Sequence, residues 1–272
     1  MKNIFLLGEC MIELKAQSVI NSNSKATEPK FLKQSFAGDA LNTAVYLKRT
    51  FADLNAYFIS AVGADKLSSG MVAFFEQEKI RTEFVFRSKE KNSGLYAIDT
   101  DEFGERSFTY WRENSAARNV MSFIDEQVVE SISTGDVVFF SGISLAVLMP
   151  DDRPKFWLFI KKLKDLGAVI VFDPNYRTRM WENESQAKEQ FEQAFSNADI
   201  LLPGVDDFEQ LYGLSTAEAV YDFCKPYQFD ELVIKNGEAG IVCYSDEQIL
   251  HFPIIPIKNV VDTTSAGDSF NG

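Results

Sequence analysis

Asp262-Thr263-Thr264-Ser265-Ala266-Gly267-Asp268-Ser269-Phe270 stands near the end of a 272-residue chain. Small residues lead into an Asp at a predicted helix start. Consecutive backbone N–H groups there form an anion nest, reinforced by the helix dipole. An Asp beside such a nest can accept a proton from an attacking hydroxyl while the nest takes up developing phosphoryl charge. Taken alone, the pattern equally describes a capped helix after a small-residue loop. Phe36-Ala37-Gly38-Asp39-Ala40-Leu41-Asn42-Thr43-Ala44 forms a second such constellation. Gly38 admits a ligand near the backbone. Asp39 and Asn42 can bind hydroxyls, although Asp39 also suits a plain N-cap.

Between these stretches the chain alternates short apolar strands with helices. Strands are predicted at Ile4 to Gly8, Tyr57 to Val62, Val137 to Phe140, Val169 to Phe172, Ile200 to Leu202, Leu232 to Ile234, Gly240 to Tyr244 and Ile249 to Phe252. Helices are predicted after Asn42, at about Leu67 to Glu78, at Pro154 to Leu166, at Glu184 to Ser196, and as two short pieces after Leu202. This rhythm implies a mainly parallel sheet covered on both faces. One hairpin interrupts it, Gly94 to Thr100 with Arg106 to Arg112.

Composition narrows the function. Hydrophobic residues make up 46% and charged residues 25%, which excludes a disordered tail, a collagen-like rod and a small secreted scaffold. The net charge of −13 repels nucleic acid and anionic membranes, so neither is an expected partner. An anionic small molecule then needs a local pocket of Arg or Lys. Cys10, Cys224 and Cys243 are odd in number and widely spaced, as expected of free thiols in a reducing cytoplasm. Glu9 interrupts the N-terminal apolar run, which reads as a strand and not a signal peptide. The longest apolar run, Val137 to Met149, is too short to span a bilayer. His251 is the only histidine, so Ser-His-Asp, Cys-His and HExxH chemistry is excluded. There is no GxxxxGK[ST] and no GxGxxG.

Asp262 to Gly272 and Ala37 to Ala44 together resemble the two signature regions of the PfkB (ribokinase-like) carbohydrate kinases. The resemblance covers the whole chain. It implies a ribokinase-like three-layer α/β/α domain over 1–272, with lid strands from about 12–36 and 84–113 forming a small sheet over the sugar site. Within the family, several stretches look most like the 2-keto-3-deoxygluconate kinases. They are Gly8 to Leu14, Gly94-Leu95-Tyr96, Gly104-Glu105-Arg106, Tyr110-Trp111-Arg112, Ser141 to Leu145 and Asp173-Pro174-Asn175-Tyr176-Arg177. A sugar acid needs a carboxylate clamp, and the planar fork of Arg suits it. Arg112 ends a lid strand. Arg177 follows a strand's C-terminal end, the edge where open α/β sheets bind ligands. The resemblance implies that Gly38, Tyr96, Tyr110, Arg112 and Arg177 contact the keto acid. It implies that Asp268 is the base and that the N–H groups of Ala266, Gly267 and Asp268 form an anion hole. An ordinary Asp, with a pKa of about 3.9, would serve through position more than basicity. Without the resemblance, Tyr96 and Tyr110 equally suit lid packing, and the arginines surface ion pairs.

Lys235-Asn236-Gly237-Glu238-Ala239-Gly240 resembles the family's loop beside ATP, and equally a plain turn. It puts Lys235, Gly237 and Gly240 on the nucleotide side with Ser265 and Gly267. The family's Asn-x-x-Glu near the metal is here Gly204-Val205-Asp206-Asp207. Asp207 is expected to replace the Glu and to act on Mg²⁺ through water, while Gly204 cannot replace the Asn. Cofactors implied are ATP and Mg²⁺. Family members continue beyond the position of Gly272, so weak or absent ATP binding is expected of this chain. A homo-oligomer formed through the lid is expected on edge-strand grounds. A neutral-sugar kinase and a catalytically silent sensor stay open. The arginine pair opposes the first and Asp268 the second.

Overall fold

The structure, a computed structural model, describes residues 2–16, 31–100, 106–245, 248–255 and 265–272. The hairpin turn at 101–105, Asp262 to Thr264 and residues 17–30 of the expected first lid segment lie outside the described residues.

Among the described residues, thirteen strands form two sheets. The main sheet takes β1 (Asn3–Leu7), β4 (Asn55–Gly63), β5 (Val85–Ser88), β8 (Val137–Ser141), β9 (Val169–Asp173), β10 (Ile200–Leu201), β11 (Glu231–Lys235), β12 (Ile241–Ser245) and β13 (Gln248–Phe252). The small sheet takes β2 (Met11–Ala16), β3 (Leu32–Ala37), β6 (Gly94–Thr100) and β7 (Arg106–Trp111). Main-sheet order is β13-β12-β11-β10-β9-β8-β1-β4-β5. Pairing is parallel from β11 to β5 and antiparallel across β11-β12-β13. The small sheet runs β3-β2-β6-β7. The expected hairpin is its β6-β7 pair. One correction concerns β5, which lies inside the stretch expected to be lid but pairs with β4 in the main sheet.

Alternation along the strands sorts the core. Phe5, Leu7, Ile59, Phe140 and Phe172 enter one apolar cluster, while Leu6, Phe58, Phe139 and Val171 enter another. The second cluster is closed by α1 (Asp39–Thr50) and α2 (Lys66–Gln77). The first is closed by α3 (Glu126–Glu130), α4 (Gly142–Val147), α5 (Arg153–Asp165), α6 (Glu184–Asn197), α7 (Val205–Tyr212) and α8 (Ala217–Cys224). Both faces are therefore dry, which is what a near-continuous apolar strand requires. The last helix, α9 (Ala266–Asn271), packs on α1: a Cβ at Gly272 would meet Thr43 O at 2.5 Å.

Helix α4 has no counterpart in the sequence reading. Its signal is a reciprocal cap: Ser144 N donates to Ser141 Oγ and Ser141 N donates to Ser144 Oγ, each at 3.1 Å. Gly142 is required at its start, because a Cβ there would lie 2.0 Å from Pro174 O. The ends of β8 and β9 can thus meet side by side.

Candidate active site

The carboxyl ends of β1, β8 and β9 converge with the starts of α1 and α9. Asp268 occupies the first turn of α9, after Ser265 in a left-handed conformation (φ 62). Asn42, one turn into α1, donates from Nδ2 to Asp268 Oδ2 at 2.9 Å and to Ser265 Oγ at 2.8 Å. The Asp268 carboxyl is pushed up to about 6. Burial is the main cause, and the charge of Asp39 adds to it, while the Asn42 bond pulls the other way. Sequence reasoning had assigned this Asp an ordinary acidity. The enclosure of α9 against α1 raises it toward neutral pH.

Asp39 does not cap α1. Gly38 holds the N-cap position, and Asp39 accepts a hydrogen bond from Ser141 Oγ at the end of β8. Burial raises its carboxyl, opposed by the Ser141 bond. Gly38 is needed for close approach: a Cβ would lie 2.2 Å from Glu9 O.

Between this cluster and the small sheet lies a cavity of about 660 Å³. Gly38, Asp39, Tyr110, Arg112 and Arg177 all line it. Arg118 and Arg179 line it as well, and sequence reasoning did not find them. Arg112 is ion-paired with Glu9, whose side chain is 1% exposed, and Glu9 also accepts from Ser115 Oγ. Arg112 further reaches Met180 Sδ at 3.6 Å and lies over the Tyr110 ring. Among the described residues, Arg118, Arg177 and Arg179 have no carboxylate within ion-pair distance. The buried Nε of Arg118 has no hydrogen-bond partner. This wall of guanidinium groups makes the cavity locally cationic in a chain of net charge −13.

Two expected sugar contacts stand elsewhere. Tyr96 is buried behind the cavity wall, stacked on Tyr110 at 5.6 Å, with its hydroxyl donated to Glu13. Asn42 serves Asp268 and Ser265 and does not line the cavity.

On the opposite flank, Lys235 Nζ donates to Asp173 Oδ2 at 3.0 Å and to Asn271 Oδ1 at 3.3 Å. Lys235, expected at phosphate, is thus held by two side chains. Gly237 and Gly240 shape the β11-β12 turn with φ of 50 and 99. A depression of about 630 Å³ beside it is lined by Tyr221, Asn236, Ala239 and Tyr244, among others. Asp207, at the start of α7, accepts from Tyr176 N at 2.9 Å. Its carboxyl is pushed up to about 6 by burial and by the charge of Asp173, with Lys235 and Arg177 opposing. Gly204 gives it room, since a Cβ there would lie 2.8 Å from Asp207 Oδ2.

A carboxylate near neutral acidity, a helix N-terminus and a cationic cavity point to phosphoryl transfer onto an anionic alcohol. Residues 1–272 match the model of the pfkB family carbohydrate kinases. The chain belongs to this family. Its relatives include the 2-dehydro-3-deoxygluconokinase of Haemophilus influenzae, 35% identical over 100% of this chain and 85% of the relative. The enzyme of the same name from Escherichia coli K12 is 33% identical over 99% and 86%. Among solved structures, a PfkB protein from Polaromonas sp. JS666 superposes with a TM-score of 0.85 at 22% identity, covering 100% of this chain and 86% of its own. Fructokinase with bound ATP from Xylella fastidiosa superposes at 0.80 and 20% identity, covering 98% and 78%. Both structures share the ribokinase-like architecture, a mainly parallel α/β sheet with a small separate sheet.

For a PfkB kinase, three further residues to which sequence reasoning gave no role follow a pattern. Glu9, Ser141 and Asp173 each stand just after or at the end of an apolar parallel strand. A polar residue at that edge faces the ligand crevice of an open α/β sheet.

Proposed function

We propose that the chain phosphorylates 2-keto-3-deoxygluconate on its 6-hydroxyl with ATP, yielding 2-keto-3-deoxy-6-phosphogluconate and ADP. The observation that carries this reading is the cavity with four arginines on its wall, lined also by Asp39, whose charge acts on Asp268. The sugar-acid relatives at 33–35% identity support it. The keto-acid carboxylate is clamped by Arg112 and Arg177, with Gly38, Asp39 and Tyr110 around the sugar. Asp268 accepts the proton of the 6-hydroxyl as that oxygen bonds to the γ-phosphorus. The bond from phosphorus to the bridging oxygen breaks, and ADP leaves with the electron pair. Backbone N–H groups of Ala266, Gly267 and Asp268 stabilise the charge on the transferred group, since a helix's first turn leaves them without intrahelical acceptors.

When bound, ATP would be held along the β11-β12 turn by Lys235, Gly237, Gly240, Ser265 and Gly267. Gly267 leaves open space, for a Cβ there would meet nothing within 4 Å. Among the described residues, no group of three or more His, Cys, Asp or Glu is placed to hold a metal alone. A deep Asp207 beside incoming phosphates fits Mg²⁺, which takes one or two carboxylates, phosphate oxygens and water. When bound, the ion offsets phosphate charge.

The protein works in the cytoplasm in this reading, consistent with three free cysteines. No helix among the described residues is long and apolar enough to cross a membrane. A second copy covers the lid, whose edge strand β7 leaves Phe108, Tyr110 and Trp111 exposed. Analytical ultracentrifugation showing only monomer would remove that part.

The deciding assay is ADP release with 2-keto-3-deoxygluconate against fructose and ribose, at MgATP concentrations high enough to offset the weak nucleotide binding expected from the sequence. Turnover of the keto acid alone is expected. Turnover of fructose in its place would overturn the carboxylate clamp.

A further inference from the structure

Asp173 ends β9 and is 2% exposed, yet no step of the reaction above uses it. One carboxylate gathers three separate parts of the site. Its Oδ2 accepts from Asn271 Nδ2 of α9 at 2.6 Å and from Lys235 Nζ of β11 at 3.0 Å. Its Oδ1 accepts from Asn175 N at 3.2 Å. Lys235 Nζ also donates to Asn271 Oδ1 at 3.3 Å, which closes a triangle of side chains.

Each arm leads to a different working group. Asn271 is three residues past Asp268 on the same short helix. Asn175 has a positive φ of 33, unusual for a side-chain-bearing residue, and two residues later the chain presents Arg177 to the cavity. Lys235 opens the turn carrying Gly237 and Gly240. A buried carboxylate must keep its donors, because an unmet charge away from water is costly. Satisfying Asp173 therefore places all three segments at once.

We infer that Asp173 is a positioning residue, the joint that holds the base helix, the arginine loop and the nucleotide-side turn in one frame. The inference rests on the reading of Asp268 as base and Arg177 as clamp. It differs from a purely structural role in one respect. The groups acting on Asp268 are Asp39 on α1 and Asp173 on β9, with Asn42 and Ser265 donating to it. Removing the charge at 173 takes away one repulsion, which favours the ionised base.

The test compares kcat and KM across pH 4.5–8 in the wild type, Asp173→Asn, Asn271→Ala and Asp268→Asn, each checked for folding by circular dichroism. Asp173→Asn is expected to lower kcat by about 10²-fold, the cost of slight misplacement of reacting groups. It should also move the acid limb of kcat to lower pH. Asn271→Ala should lower kcat about tenfold, the scale of one hydrogen bond to a charged group, with KM for the keto acid unchanged. A folded Asp173→Asn with wild-type kcat and acid limb overturns the inference. If Asp173→Asn does not fold, Asn271→Ala decides it, and a wild-type kcat there overturns it. Asp268→Asn with wild-type turnover would instead overturn the underlying assignment of the base.

Discussion

Asn42 Nδ2 and Asp268 Oδ2 lie 2.9 Å apart across 226 residues of sequence. The amide fixes the carboxylate's direction and favours its ionised form, against burial and Asp39. Deleting it in Asn42→Ala removes a lowering influence, so the Asp268 pKa rises. The acid limb of kcat, expected near pH 6 in the wild type, should then move to higher pH. A pH profile with an unmoved or lowered limb would remove Asn42 from this role.

Asp268→Asn should lower kcat by about 10²- to 10⁴-fold, the usual range for loss of a general base. It should also stabilise the fold. The folded pKa of about 6 lies above the ordinary carboxyl value of 3.8, so the ionised form is disfavoured in the native state. The stability this group contributes is full below about pH 3.8 and is lost as pH rises through 6. The variant escapes that loss, so its advantage grows between those limits and levels off above them. The gain at pH 7.5 should be at most about 3 kcal/mol, and Asp207→Asn should behave alike. Melting temperatures at pH 4 and pH 7.5 measure it.

Arg112 and Arg177 share a proposed task but not a setting. The Arg177 guanidinium donates to Tyr176 O at 3.2 Å and, among the described residues, has no carboxylate within ion-pair distance. Arg177→Met should therefore raise KM for the keto acid roughly 10- to 100-fold with little change in stability, matching loss of a charged hydrogen bond. Arg112→Met leaves Glu9 as an uncompensated buried carboxylate. It should cost roughly 3–5 kcal/mol of stability, and adding Glu9→Gln should restore most of that. Equal melting temperatures for the two single variants would contradict this distinction.

Gly38→Ala should both destabilise and inactivate. The added Cβ would stand 2.2 Å from Glu9 O, a backbone atom that cannot swing aside. A loss above about 2 kcal/mol is expected, with kcat/KM falling in step, as for other cases of forced overlap. Denaturant unfolding and steady-state kinetics on the same preparation check both.

The local signals in the chain were strong where one segment carries the whole instruction. The unbroken apolar run Phe5-Leu6-Leu7 specifies a strand buried on both faces, and Gly38-Asp39 specifies a helix start with close backbone approach. These readings succeed because the physical cause, sterics or periodicity, acts between neighbours in sequence. Arg112 and Arg177, singled out from the sequence, both stand on the cavity wall.

Tertiary structure alone decided how those groups are tuned. The acidity of Asp268 depends on Asp39 and Asp173, which reach it only when α1 and β9 pack beside α9. Tyr96 turned to Glu13, Lys235 to Asp173 and Asn271, and Arg118 to the cavity. Burial and through-space charge are properties of the assembled sheet edge, and they have no counterpart in the order of residues along the chain.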